Sequence, residues 1–188
     1  MNLSDYQTVD WILGKQREWR VARGAKPPLF KTFTQKQQEA LTAFCHNGGN
    51  IIVSGAFVGT DLWDNPYAAN EDREWAQETL KYKWRNNNGA VTGRIKAVPS
   101  PFPAIQGNYS YFNVLNSESY TVEHPDAIEP ADENAFTIFR YTENNLSAGI
   151  LYQGEKYNSC ILGFPIEAIK GQENRKRLIK GIMESWEK

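Results

Sequence analysis

At 188 residues the chain is long enough for one domain with a substantial core. Its formal net charge of −1 supplies no field to steer it toward nucleic acid or an anionic membrane, and no apolar run reaches membrane-spanning length. Aromatic residues make up 13% with six Trp, more than a minimal core needs, so core filling comes first and a carbohydrate- or protein-facing surface second.

Residues 1–6 lack the charged-then-apolar layout of a signal peptide. The apolar segment 8–13, ending at Gly14, reads as a strand that begins abruptly, which fits a longer gene product whose first strands lie upstream. Residues 15–31 are basic and contain Gly24 and Pro27-Pro28, the composition of a long surface loop, and Arg17, Trp19, Arg20 and Arg23 form its basic, aromatic patch. Thr34-Gln35-Lys36-Gln37 is a capping box, opening a helix with Leu41, Phe44 and Cys45 on one face and a stop at Gly48-Gly49. The run 50–54 is then a buried strand. Strand, helix and strand within some fifty residues, with apolar runs that do not alternate, is the grammar of a parallel α/β sheet.

A second helix is expected over 70–83, with Asn70 as its cap and Glu71 and Asp72 at the positive end of its dipole. Segments 91–98, 136–142, 148–153 and 160–164 are strand-like, and Glu143-Asn144-Asn145 between the middle two is a hairpin turn signal. Residues 99–130, rich in proline, read as irregular chain on the surface. The last helix, 172–186, gathers Leu178, Ile179, Ile182, Met183 and Trp186 into a stripe that docks on the sheet. Cys45 and Cys160 lie on different elements without CxxC spacing and read as two buried free thiols.

The chemistry-bearing pattern is Asn50-Ile51-Ile52-Val53-Ser54-Gly55-Ala56-Phe57-Val58-Gly59-Thr60-Asp61. Gly55-x-Phe57-x-Gly59 after a strand has the shape of a nucleophile elbow, where glycines let the chain turn sharply and lift the central side chain over the sheet. The central residue here is Phe57, which has no lone pair to attack with. Ser54 precedes the turn and points into the strand packing.

The segment Gly49-Asn50-Ile51-Ile52-Val53-Ser54-Gly55 running into Gly59-Thr60-Asp61-Leu62, behind the helix at Thr34, resembles the class I glutamine-amidotransferase-like fold. That fold is a flavodoxin-like α/β sandwich. Ile161-Leu162-Gly163-Phe164-Pro165-Ile166-Glu167 looks like the segment where active members carry a catalytic His-Pro-Glu. Across 3–16, 31–63 and 147–167 the chain more closely resembles the C-terminal region of exported bacterial proteins labelled xanthan lyase-like, which share this domain with golvesin-type proteins. In those relatives more sequence precedes the point where this chain begins.

The resemblance implies a single domain over 1–188, with a mainly parallel sheet and an antiparallel C-terminal extension. It implies a parent protein that is periplasmic, on the cell surface or secreted. An amidotransferase needs a thiolate, a histidine base and an acid to orient it, and only Glu167 survives at the matching positions. Loss of a nucleophile alone lowers turnover on the order of a millionfold. The expected role is therefore a non-catalytic accessory domain, with acidic polysaccharide or other domains of the parent as partners and self-association possible through an exposed sheet edge.

If a ligand site persists, Gly55, Phe57, Gly59, Asp61 and Glu167 line it, where strand ends and helix N-termini converge. The alternative role is a polysaccharide lyase, which needs a Tyr or His base beside a cation; no spacing collects such a set. His46 sits where a cation suits a helix end, and His124-Pro125-Asp126 reads as surface loop. No metal set and no cofactor motif is readable. The basic cluster from Arg73 to Lys96, with Trp84 inside it, is offset by Glu71, Asp72, Glu74 and Glu78 and reads as a solvated helix face, without a nucleic-acid partner.

Overall fold

The computed structural model describes residues 3–17 and 31–187. Trp19, Arg20 and Arg23, three of the four residues of the expected basic patch, lie outside those residues. A seven-stranded sheet runs through the molecule in the order β1-β2-β9-β8-β7-β4-β5. Its strands are β1 (Thr8–Gly14), β2 (Asn50–Gly55), β4 (Arg94–Ala97), β5 (Asn108–Ser110), β7 (Ala135–Tyr141), β8 (Ser147–Gln153) and β9 (Asn158–Leu162). A separate two-stranded ribbon pairs β3 (Tyr82–Asn86) with β6 (Ala127–Pro130).

The architecture is mixed α/β. β1, β2 and β9 are parallel, whereas β9-β8, β8-β7, β7-β4 and β4-β5 are antiparallel. The antiparallel part is thus larger than expected, and it comes from mid-chain. The last strand, β9, belongs to the parallel part.

Helix α1 (Gln35–His46) makes the crossover from β1 to β2. Its start follows the expectation: the Gln37 side chain accepts from the Thr34 backbone N–H at 2.7 Å. Its end is closed by Gly48 and Gly49 amides that donate to Cys45 and Phe44 carbonyls. Alternation along β2 and β9 then sorts the core into two layers. Ile51, Val53 and Ile161 face α1, whose Leu41, Phe44 and Cys45 are buried there with Leu80, Tyr82 and Ile128. Ile52, Cys160 and Leu162 face the opposite side, against Leu178 and Ile182 of the last helix, α4 (Gln172–Glu184), against Trp186 just beyond it, and against Tyr109, Tyr111 and Phe164. Met183 is 38% exposed, so the docking stripe of that helix is narrower than its sequence.

Two short helices, α2 (Thr60–Trp63) and α3 (Asn70–Trp75), follow β2 in chain order. The helix expected over 70–83 ends early. After α3 the chain widens into a π-helical turn, Ala76–Leu80, and Lys81 adopts a left-handed backbone at φ 68°. Tyr82 then starts β3. The buried Tyr82 hydroxyl donates to the Val58 carbonyl at 2.5 Å, a tertiary bond that helical continuation would forfeit. Residues 99–130 are mostly irregular, as their prolines imply, yet they supply β5 and β6. Among the described residues, no helix is long and apolar enough to cross a membrane.

Candidate functional site

The parallel strands end together, and two expected site positions, Gly55 and Glu167, meet there around Gly14. Ala56 N–H donates to the Gly14 carbonyl at 2.8 Å, tying the exits of β1 and β2. Gly14 turns with φ 57°, and a Cβ there would stand 3.3 Å from the Tyr120 hydroxyl and 3.4 Å from Glu167 Oε1. Gly14, Gly55 and Glu167 are therefore neighbours. Phe57 is the correction. Its ring is not lifted over the sheet but buried, 7% exposed, in the layer that also holds Ile52 and Ala56. The Arg17 guanidinium covers it, 4.5 Å from the ring centroid. Ser54 is fully buried, as its place before the turn implies.

Gly59 and Asp61 face elsewhere and line no cleft with Glu167. The Gly59 and Thr60 amides donate to Asp126 Oδ2 at 2.6 and 2.8 Å. The Thr60 hydroxyl and the Trp84 indole N–H donate to Oδ1 at 2.5 and 3.1 Å. A nest of backbone amides after a strand is where a phosphate or an oxyanion would sit. Here the protein's own carboxylate fills it. Gly59 is glycine because a Cβ would lie 2.5 Å from Trp84 Cδ1. Burial pushes Asp126 up to about 7, against the pull of those four donors. Asp61 is equally enclosed: its Oδ2 accepts from the Thr32 amide and hydroxyl at 2.8 and 2.9 Å. His124 is exposed as expected, but Asp126, two residues on, is fully buried.

A carboxylate pair stands on the other side of Gly14. Asp10 on β1 is level with Ile52 and, beyond it, Cys160. Its surroundings push it up to about 6, first by desolvation and then through the negative charge of Glu167. Tyr120 donates its hydroxyl to Glu167 Oε1, while Glu167 Oε2 is enclosed without a hydrogen-bond partner. A carboxyl kept out of its ordinary range beside a second carboxyl can exchange a proton with a ligand. Sequence reasoning passed over Asp10, although a lone charge inside the apolar run 8–13 was a signal. Asp126 left no local signal, since its partners are 42, 66 and 67 residues away.

The thiols are not reagents. Burial pushes Cys45 up to about 12, and Cys160 is raised by burial and by the nearby charge of Asp10. His46 is exposed at the end of α1, its ring 6.3 Å from that of Tyr157. Among the described residues no group of three or more His, Cys, Asp or Glu could hold a metal ion.

No protein-family model matches this chain, and no curated protein matches it significantly. Solved structures do. The cold-adapted β-galactosidase from Rahnella sp. R3 superposes with a TM-score of 0.55 at 13% identity, over 98% of this chain and 23% of that one. The β-galactosidase from Bacillus circulans sp. alkalophilus gives 0.53 at 13% identity, over 98% and 23%. Gan42B, a GH42 β-galactosidase, gives 0.56 at 10% identity, over 98% and 22%. The likeness is one of fold. The chain spans less than a quarter of the length of these enzymes.

Proposed function

We propose that this chain is a non-catalytic accessory domain of a larger exported bacterial protein that handles polysaccharide. It would be built on the flavodoxin-like design of the class I glutamine amidotransferases, in the version found in xanthan lyase-like and golvesin-type proteins. The observation that carries the reading is Phe57. Where such a fold would present an attacking atom, this chain buries an inert ring beneath Arg17. Asp126 in the amide nest supports it, because an oxyanion would have to displace a carboxylate held by four donors. The share of the β-galactosidases that the chain spans fits a module within a longer protein.

One observation favours a second reading, a carbohydrate-active enzyme. Asp10 and Glu167, with Tyr120 on the latter, are the sort of carboxylate pair that works as acid and base on sugars. The two readings separate in one experiment. The purified protein is incubated with polygalacturonate and with neutral glucan, and product chains are measured over a day. An accessory domain releases none. Turnover that disappears in both Asp10→Asn and Glu167→Gln, with binding retained, would replace the first reading by the second.

A further inference from the structure

A basic groove of about 380 Å³ lies between the β3-β6 ribbon and the β7-β8 hairpin. Its cations come from two layers: Lys83 and Arg85 from β3, Arg140 from β7. Burial alternates along β3, with Tyr82 and Trp84 turned inward and Lys83 and Arg85 exposed, although the pairing with β6 shifts at Arg85. Glu129 answers only Arg85, at 2.6 Å. Among the described residues the Lys83 ammonium has no ion pair, and Arg140 donates to a neutral group, the Asn145 carbonyl, at 2.6 Å. The groove therefore keeps two positive charges in excess on a molecule whose net charge is −1.

The way β7 reaches the groove is the second observation. In an unbroken strand Thr137 and Arg140, three positions apart, would point to opposite faces. Pairing with β8 slips between Thr137 and Phe139 and again between Phe139 and Arg140. The irregularity leaves Ile138 buried in the core and brings Thr137 and Arg140 to one wall. Arg140 pairs with Ser147 across the hairpin, and the Thr137 and Ser147 hydroxyls meet at 3.1 Å beside it. Leu146 and Pro130 complete the walls with apolar surface.

Cations, a hydroxyl pair and small apolar walls together suit an acidic sugar unit. The charges take its carboxylate, the hydroxyls take its alcohols, and the apolar walls take its C–H faces. Nucleic acid fits less well, since among the described residues no aromatic ring lines the groove for a base to stack on. We propose that this groove binds the carboxylate-bearing units of an acidic polysaccharide. The assignment rests on the accessory reading above and gives that reading its ligand site.

The test is affinity electrophoresis and calorimetry of the intact chain with polygalacturonate, neutral dextran and single-stranded DNA. Polygalacturonate should bind, dextran should not, and binding should fall as salt rises. Lys83→Gln and Arg140→Gln should each weaken it at least about tenfold. Arg140 also supports the hairpin, so Lys83→Gln, with no such bond to lose, is the deciding variant. Polygalacturonate binding that both variants retain would overturn the groove and leave the accessory reading standing. DNA binding as tight as polygalacturonate binding would overturn the saccharide assignment alone. Failure of any acidic polysaccharide to bind would overturn both.

Discussion

Replacing Asp126 by Ala would strand four donors: the Gly59 and Thr60 amides, the Thr60 hydroxyl and the Trp84 indole N–H. Asp126 is fully buried, so bulk solvent does not stand ready to replace the lost partner. Removing one partner of a buried charged network typically destabilises by about 3–5 kcal/mol. For 188 residues the unfolding entropy is on the order of 0.4 kcal/mol/K, so a loss of about 4 kcal/mol lowers Tm by about 10 °C. Asp126→Asn separates shape from charge. Its amide oxygen can keep the Gly59 and Thr60 amides, while its NH₂ confronts the Trp84 N–H.

The same pair of variants tests the proton. Asp126 is raised from 3.8 to about 7 in the fold, so the folded protein holds a proton that the unfolded chain has already released. Its contribution to stability is complete below about pH 4 and disappears as pH climbs through about 7. Urea denaturation of the wild type across that window should lose up to about 1.4 kcal/mol per pH unit from this group. The Asn variant should be flatter by that amount. A Tm drop under about 2 °C in the Ala variant, or an Asn variant that tracks the wild-type pH slope, would refute the clamp.

Gly59→Ala drives a Cβ against Trp84 and should destabilise by about 1–3 kcal/mol; in a Trp84→Ala background most of that penalty should vanish, and additive losses in a double-mutant cycle would contradict the contact. Neither Cys45 nor Cys160 should react with a thiol reagent at pH 8 until urea unfolds the chain, and stoichiometric labelling of the native protein would show the burial to be wrong. Glu167→Gln removes a like charge, so Asp10 should titrate below its present value of about 6 while desolvation holds it above the ordinary carboxylate range. A carboxyl resonance of Asp10 with an unmoved midpoint would mean that the two groups do not sense each other.

Much of the frame was legible. The capping box, the apolar run of β2, the hairpin signal at Glu143-Asn144-Asn145 and the stripe of α4 each follow from a local period or a local bond, and each stands near its expected place. The helix expected over 70–83 shows where local reading stops. Tyr82-Lys83-Trp84-Arg85-Asn86 alternates inward and outward, a strand period hidden at the end of a helical one. What decides between them is Tyr82 bonding to Val58 and Trp84 bonding to Asp126, contacts that no window of a dozen residues contains.

The candidate site was legible in position and not in direction. Gly55 ends β2 as its spacing implies, and Glu167, in the short 3-10 turn Ile166–Ala168 after β9, reaches Gly14 with its side chain. The turn after β2, by contrast, sends Phe57 inward and commits Gly59 and Asp61 to separate buried networks. Glycine spacing marks a sharp bend. It does not say which side of the sheet the bent segment will serve.

The slipped pairing in β7 has a further consequence. Because the two offsets lie on opposite strands and cancel, deleting Ile138 would leave the one at Ala148 unmatched and exchange the faces of everything on one side of it. A descendant with one residue fewer there could keep the scaffold and silence its basic furrow at a stroke. Counting residues between Thr137 and Tyr141 in kindred chains thus becomes a quick way to tell which of them retain the furrow.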